Sequence, residues 1–157
     1  MKHAIVYYSY EGATALVAEW IAKEVHADLF PLKPIKEPII RGFGKYVWGG
    51  GMVMMKQKPK LEPLGLDCQA VDVIWIGTPV WAWTFTPPIR TFLDECTIKG
   101  KKVMLFCTHD GQPGKTLEHM ARHLSLSNDL LGATSFQNVK QREDAQREVL
   151  EWVRVYF

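Results

Sequence analysis

The sequence predicts an α/β fold: a five-stranded parallel sheet, in the order 2-1-3-4-5, with helices on both faces. Two observations carry this expectation. Short apolar runs of buried-strand type alternate along the chain with segments whose apolar residues recur at helical spacing. The loops richest in hydroxyls, glycines and aromatics follow the first, third and fourth of those runs, where that strand order places a ligand crevice. At 157 residues the chain is expected to form a single domain over 1–157 with a substantial core.

Residues 3–8 read as the first strand, and residues 13–25 carry Leu16, Val17, Trp20, Ile21 and Val25 on one helical face. Residues 27–32 form a second strand, ended by Pro31 and Pro34, and residues 71–77 (Val-Asp-Val-Ile-Trp-Ile-Gly) a strong third. Residues 87–93 place Ile89, Phe92 and Leu93 on a helix that opens on two prolines, where a missing N–H is harmless. Residues 102–107 form the fourth strand, and residues 114–126 a helix with Leu117, Met120, Ala121 and Leu124 in register. A weaker fifth strand is expected at 133–138 and a closing helix at 141–155, with Val149, Trp152 and Val153 facing inward. Residues 35–66 interrupt the rhythm with Gly42, Gly44, three consecutive glycines at 49–51, Phe43, Tyr46, Trp48, Met52, Met54 and Met55. An irregular crossover is expected there, its apolar residues serving core packing or, through residues 42–55, a homodimer face.

A net charge of +2 is too small to argue for nucleic acid, and the densest basic runs, 56–60 and 99–102, read as solvated surface. No apolar stretch approaches the length of a membrane span, and no signal peptide is expected ahead of the first strand. Cys68, Cys96 and Cys107 are an odd number without a CxxC pair, so reduced thiols and a cytoplasmic location are expected, with Cys107 buried. His3, His26, His109, His119 and His123 are scattered, and the 119/123 pair reads as surface or core, so no metal site is expected. A phospho-receiver would need acidic residues after strand 1 and an Asp ending strand 3, and a dinucleotide site a Gly-x-Gly-x-x-Gly turn; both are absent.

The chemistry gathers in three loops. In the first, Ser9, Tyr10, Glu11, Gly12, Ala13 and Thr14 join a strand to a helix N-terminus, where N–H groups lacking intrahelical acceptors, the helix dipole and the Ser9 and Thr14 hydroxyls suit a phosphate monoester. The second holds Thr78, Pro79, Val80, Trp81, Ala82, Trp83 and Thr84, and two indoles there offer a face for something flat. In the third, Thr108, His109, Asp110, Gly111 and Gln112 offer polar contacts to the edge of a heterocycle. A mononucleotide with a planar head fits this set.

Over essentially its whole length the chain resembles the flavodoxin family, a three-layer sandwich. Residues 9–14 are similar to the family's phosphate loop, Ser/Thr-x-Thr-Gly-x-Thr, and residues 77–82 stand where its first flavin-contacting loop lies. The resemblance implies FMN as cofactor. It places Trp81 on the isoalloxazine ring, the Ala82 peptide at flavin N5, and residues 108–112 at the pyrimidine edge. Glu11 departs from a frequent hydroxyl, so its N–H is expected to face the phosphate while its carboxylate turns away. Ala82 replaces a frequent glycine, which raises the cost of positive φ. His109 or Trp83 stands in for the aromatic of the opposite flavin face.

Electron transfer to a redox partner protein or a small acceptor is the function expected first, with no catalytic residue assigned. An FMN-dependent NAD(P)H:quinone-type oxidoreductase, binding the nicotinamide transiently, is the second. A flavin-free interaction module is a distant third.

Overall fold

The apolar runs become five strands: β1 (His3–Tyr7), β2 (Asp28–Pro31), β3 (Val73–Pro79), β4 (Lys102–His109) and β5 (Asp129–Gln137). All neighbours pair parallel, in the predicted order β2-β1-β3-β4-β5. The protein is seen in a computed structural model that describes residues 1–36 and 58–157. Connections carry α1 (Ala13–Val25), α2 (Pro87–Glu95), α3 (Thr116–Arg122) and α4 (Ala145–Arg154), with a 3₁₀ turn at Cys68–Ala70 before β3.

Side chains alternate across a strand, so each central strand feeds two cores. Ala4, Val6, Ile74, Ile76, Val103 and Leu105 point to the face where Ile89 and Phe92 of α2 and Met120 of α3 pack. Ile5, Val73, Trp75, Met104 and Phe106 point to the other, against Val17, Ala18 and Ile21 of α1 and Val149 and Val153 of α4. Burying each large aliphatic side chain contributes about 1.5–3 kcal/mol. Sheet and helices are therefore locked together from both sides. Gly77 is dictated by the same packing: it pairs with Phe106, and a Cβ there would lie 2.1 Å from that ring.

Several boundaries differ from the sequence expectation. The helix expected to reach residue 126 stops at Arg122 with His123 as its C-cap, and Leu126 is fully exposed. Strand β5 starts at Asp129, four residues earlier than expected, because Asp129 pairs with Lys102 and the ladder continues past a register shift at Val103/Met104. It ends where Asn138 turns left-handed at φ 50°. The closing helix starts at Ala145 rather than residue 141.

Between β2 and β3, Pro34 and Leu61 form an antiparallel bridge, with Ile35 N–H donating to Lys60 O at 2.9 Å and Glu62 N–H to Lys33 O at 2.7 Å. Phe43, Tyr46, Trp48, the glycine run and the three methionines, with the dimer face expected at 42–55, lie outside the described residues.

One expectation is corrected. Cys68, opening the 3₁₀ turn, is joined to Cys96, the C-cap of α2, as a disulfide. Their separation of 28 residues matches no motif, and only the packing of α2 beside the 3₁₀ turn brings them together. Cys107 is free and buried, and burial pushes its thiol up to about 12, so it stays protonated.

His3 is 6% exposed, and Trp75 Nε1–H donates to its Nδ1 at 3.2 Å, which requires that nitrogen to be unprotonated. Burial holds its pKa below the ordinary 6.5; the N-terminal ammonium adds to this and Asp72 opposes it. The unfolded chain therefore binds this proton at higher pH than the native one, and native stability falls as pH drops below about 6.5 through the lower folded value. Denaturation at a series of pH values should show that loss, and His3→Gln should flatten it. Identical pH profiles for the two proteins would contradict the assignment.

Candidate functional site

At the carboxyl end of β1 the chain turns at Gly12, which adopts φ 99° as the N-cap of α1. Ser9 Oγ accepts from Ala15 N–H at 3.1 Å, closing the turn from within. The N–H groups of Gly12, Ala13 and Thr14 have no acceptor in their own helix. They present a positive cradle strengthened by the dipole of a 13-residue helix. The Thr14 hydroxyl does not stand free, because it lies 2.8 Å from Thr108 Oγ1 in a buried hydrogen bond. Lys140, in the segment after β5, donates from Nζ to Glu11 O at 2.8 Å and brings a cation beside the cradle. Sequence reasoning missed Lys140. Its neighbours form no motif, and only the parallel sheet carries it back to the first loop.

The second loop is a tight turn. Trp81 N–H donates to Thr84 O at 3.0 Å and Thr84 N–H returns the bond to Trp81 O at 3.1 Å. Ala82 and Trp83 between them have φ 47° and 60°, the pattern of a mirror-image type I turn. The positive φ at Ala82 foreseen as costly is thus already adopted. Trp81 is half-buried, its ring met edge-on by Tyr8 and Tyr10, each centroid 5.7 Å away. Trp83 is 71% exposed. Gly114, at φ 56°, lets the turn settle, since a Cβ there would lie 2.7 Å from Trp83 O.

The third loop is held from below. His109 Nδ1 bonds Gly111 O at 3.1 Å, and Gln137 Nε2–H donates to Asp110 O at 3.1 Å and Gly111 O at 3.2 Å. Val80 N–H donates to Thr108 O at 3.0 Å, fastening the second loop to the third.

The three loops enclose a cavity of about 480 Å³. Its walls come from residues 9–11, 13 and 14, residues 79–83, and residues 108–112. Two expected site residues lie off this wall. Gly12 supplies backbone to the turn. Thr78 is fully buried under the second loop, its hydroxyl donating to Pro79 O at 2.8 Å and lying 3.1 Å from Thr86 Oγ1. Among the described residues no cluster of His, Cys, Asp or Glu is arranged to hold a metal ion, and no helix is long and apolar enough to cross a membrane.

A doubly wound parallel sheet with a polar-and-aromatic crevice at its switch point defines the flavodoxin-like class. The chain belongs to the flavodoxin family, whose model matches residues 2–154. It is similar in structure to a Bacteroides eggerthii protein, at 22% identity and a TM-score of 0.81, over 98% of this chain and 96% of that one. It is also similar to a Lactobacillus acidophilus flavoprotein solved in complex with FMN, at 24% identity and a TM-score of 0.75, covering 96% and 97%. An FMN-dependent NADH:quinone oxidoreductase of Bacillus velezensis is 27% identical over 107 residues, 64% of this chain. The chain spans about half the length of that relative.

Left-handed backbone at an alanine costs about 1–2 kcal/mol, of which glycine's greater unfolded freedom takes back about 0.4–1. Ala82→Gly should therefore raise the free energy of unfolding by about 0.5–1 kcal/mol in chemical denaturation. Unchanged or lower stability would mean that Ala82 does not hold φ 47° in solution.

Proposed function

We propose that this chain is an FMN-binding redox protein that passes electrons between a donor and an acceptor, either a partner protein or a small molecule. The observation that carries the reading is the convergence of three distant loops on one cavity, with a helix N-terminus at one end and an indole wall along its side. The donor set fits the group. Backbone N–H groups of residues 12–14, with Lys140 nearby, match a phosphate dianion. The Trp81 indole, steadied by Tyr8 and Tyr10, offers a flat apolar surface, and the polar third loop on the same cavity suits the edge of a heterocycle. FMN, when bound, supplies the reversible uptake of electrons, while the protein binds it, orients it and sets its electronics.

The Glu11 carboxylate opposes a phosphate, and the basic ammonium of Lys140 offsets it at the same turn. The peptide after Trp81 stands in a fixed left-handed turn at the mouth of the crevice. A backbone group held there would keep its hydrogen-bonding direction constant towards a bound flavin.

The Bacillus velezensis relative favours a second reading, in which the same site accepts hydride from NAD(P)H and delivers it to a quinone. Residues 79–83 would then form one side of the nicotinamide's approach.

The purified chain should bind FMN in preference to riboflavin, and Trp81→Ala should weaken FMN by about 1–3 kcal/mol, the scale of stacking on an aromatic side chain. Fluorescence titration reads both. Equal affinity for riboflavin would remove the phosphate role of residues 9–14, and an unaltered dissociation constant would remove Trp81. A carrier loaded with FMN should bleach slowly when mixed anaerobically with NADH or NADPH alone. Rapid bleaching without a partner reductase would replace the carrier reading with the oxidoreductase one.

A further inference from the structure

His119 on α3 and His123 at its C-cap stand outside the cavity wall, yet both are engaged. His119 Nδ1 and Thr84 Oγ1 share a hydrogen bond of 2.7 Å, and Thr84 is only 8% exposed. His123 Nδ1–H donates to His119 O at 2.9 Å, while Arg90 Nη1–H of α2 donates to His123 Nε2 at 3.3 Å. The Arg90 guanidinium lies 4.8 Å over the Phe85 ring, and that ring meets His123 edge-on at 5.2 Å. One polar and aromatic cluster thus ties α2 and α3 to residues 84 and 85, directly at the foot of the 81–84 turn.

That turn needs such a support. Two successive left-handed residues, neither glycine nor asparagine, cost free energy and persist where their surroundings over-determine them. Gly114 receives the Trp83 end of the turn, and His119 grips the Thr84 end. Thr84 is also the residue whose N–H and C=O close the turn onto Trp81. A restraint on Thr84 is therefore a restraint on the Trp81 ring and the Ala82 backbone.

We propose that His119 is a positioning residue: through Thr84 Oγ1 it clamps the 81–84 turn in its left-handed form and so presets the wall of the cofactor cavity. The inference rests on the FMN reading above for its functional meaning, but the clamp itself is built only from the chain's own residues. Thr84→Val and His119→Leu remove the hydrogen bond at nearly constant volume. Thr84→Ser and His119→Asn keep a partner at nearly the same place, since the Asn amide overlies imidazole Nδ1.

The test has two readouts. In the cofactor-free protein, amide hydrogen exchange at Trp81 and Thr84 should accelerate at least about fivefold in Thr84→Val and His119→Leu, and return towards native in the Ser and Asn variants. In the FMN-loaded protein, the same two variants should raise the FMN dissociation constant about three- to tenfold and shift the midpoint potential, with both restored by the conservative replacements. The double variant Thr84→Val/His119→Leu should be no worse than the weaker single, since both remove one interaction. Native exchange rates at Trp81 and Thr84 in every variant overturn the clamp. Native FMN affinity and potential in the Val and Leu variants, with a native chain that binds FMN, overturn its service to the cofactor. A native chain that binds no FMN overturns the cofactor reading instead, and the exchange rates still decide the clamp.

Discussion

Thr108 is the residue on which the crevice depends. Its side-chain oxygen meets Thr14 Oγ1 in a buried hydrogen bond of 2.8 Å, and its carbonyl accepts from Val80 N–H at 3.0 Å. One residue of β4 thereby fastens the phosphate-type turn and the indole-bearing loop to its own strand. Buried hydroxyls left unpaired cost more than a made hydrogen bond contributes, so the pairing acts as a constraint as much as a source of stability. The three loops share a wall because none of them can move without exposing an unsatisfied group.

Beneath this knot lies a rigid platform. Phe106 fills the space over Gly77, and Thr78 is buried with its hydroxyl turned to Pro79 O and Thr86 Oγ1. Both residues belong to the segment that resembles the family's flavin-contacting loop. Their task here is to set the angle at which that loop leaves the sheet. Stiffness is what an electron-transfer site requires, because geometry that does not rearrange adds little to the cost of each transfer. The left-handed pair Ala82 and Trp83 extends the same principle to the mouth of the cavity, where the cost of the conformation is met by Gly114 and the α3 imidazole.

Much of the fold was legible from pattern. Among the described residues, alternating apolar runs located the five strands, helical spacing located the four helices, and the range of α1 agrees at both ends. Misreadings fall at the edges. Leu124 and Leu126 continued an apolar rhythm past the true end of α3, and the start of β5, two leucines between Asp129 and Gly132, lacked the alternation of a strand because an edge strand is only half covered, with Leu130 itself exposed. The cysteine count spoke for free thiols, whereas Cys68 and Cys96 are made neighbours by the docking of α2.

The same division runs through the site. The order of residues alone determined which loops carry hydroxyls, glycines and indoles, and parallel topology then obliged those loops to emerge at one end of the sheet. Only the tertiary structure decided that the Thr14 hydroxyl would pair with Thr108 Oγ1, that Lys140 would return beside Glu11 from 129 residues away, and that His119 would reach Thr84. Periodicity and local turn chemistry are short-range properties, readable along the chain. Which hydroxyl meets which imidazole depends on how a strand-end turn and a separately formed helix settle on a shared sheet, and no local pattern encodes that distance.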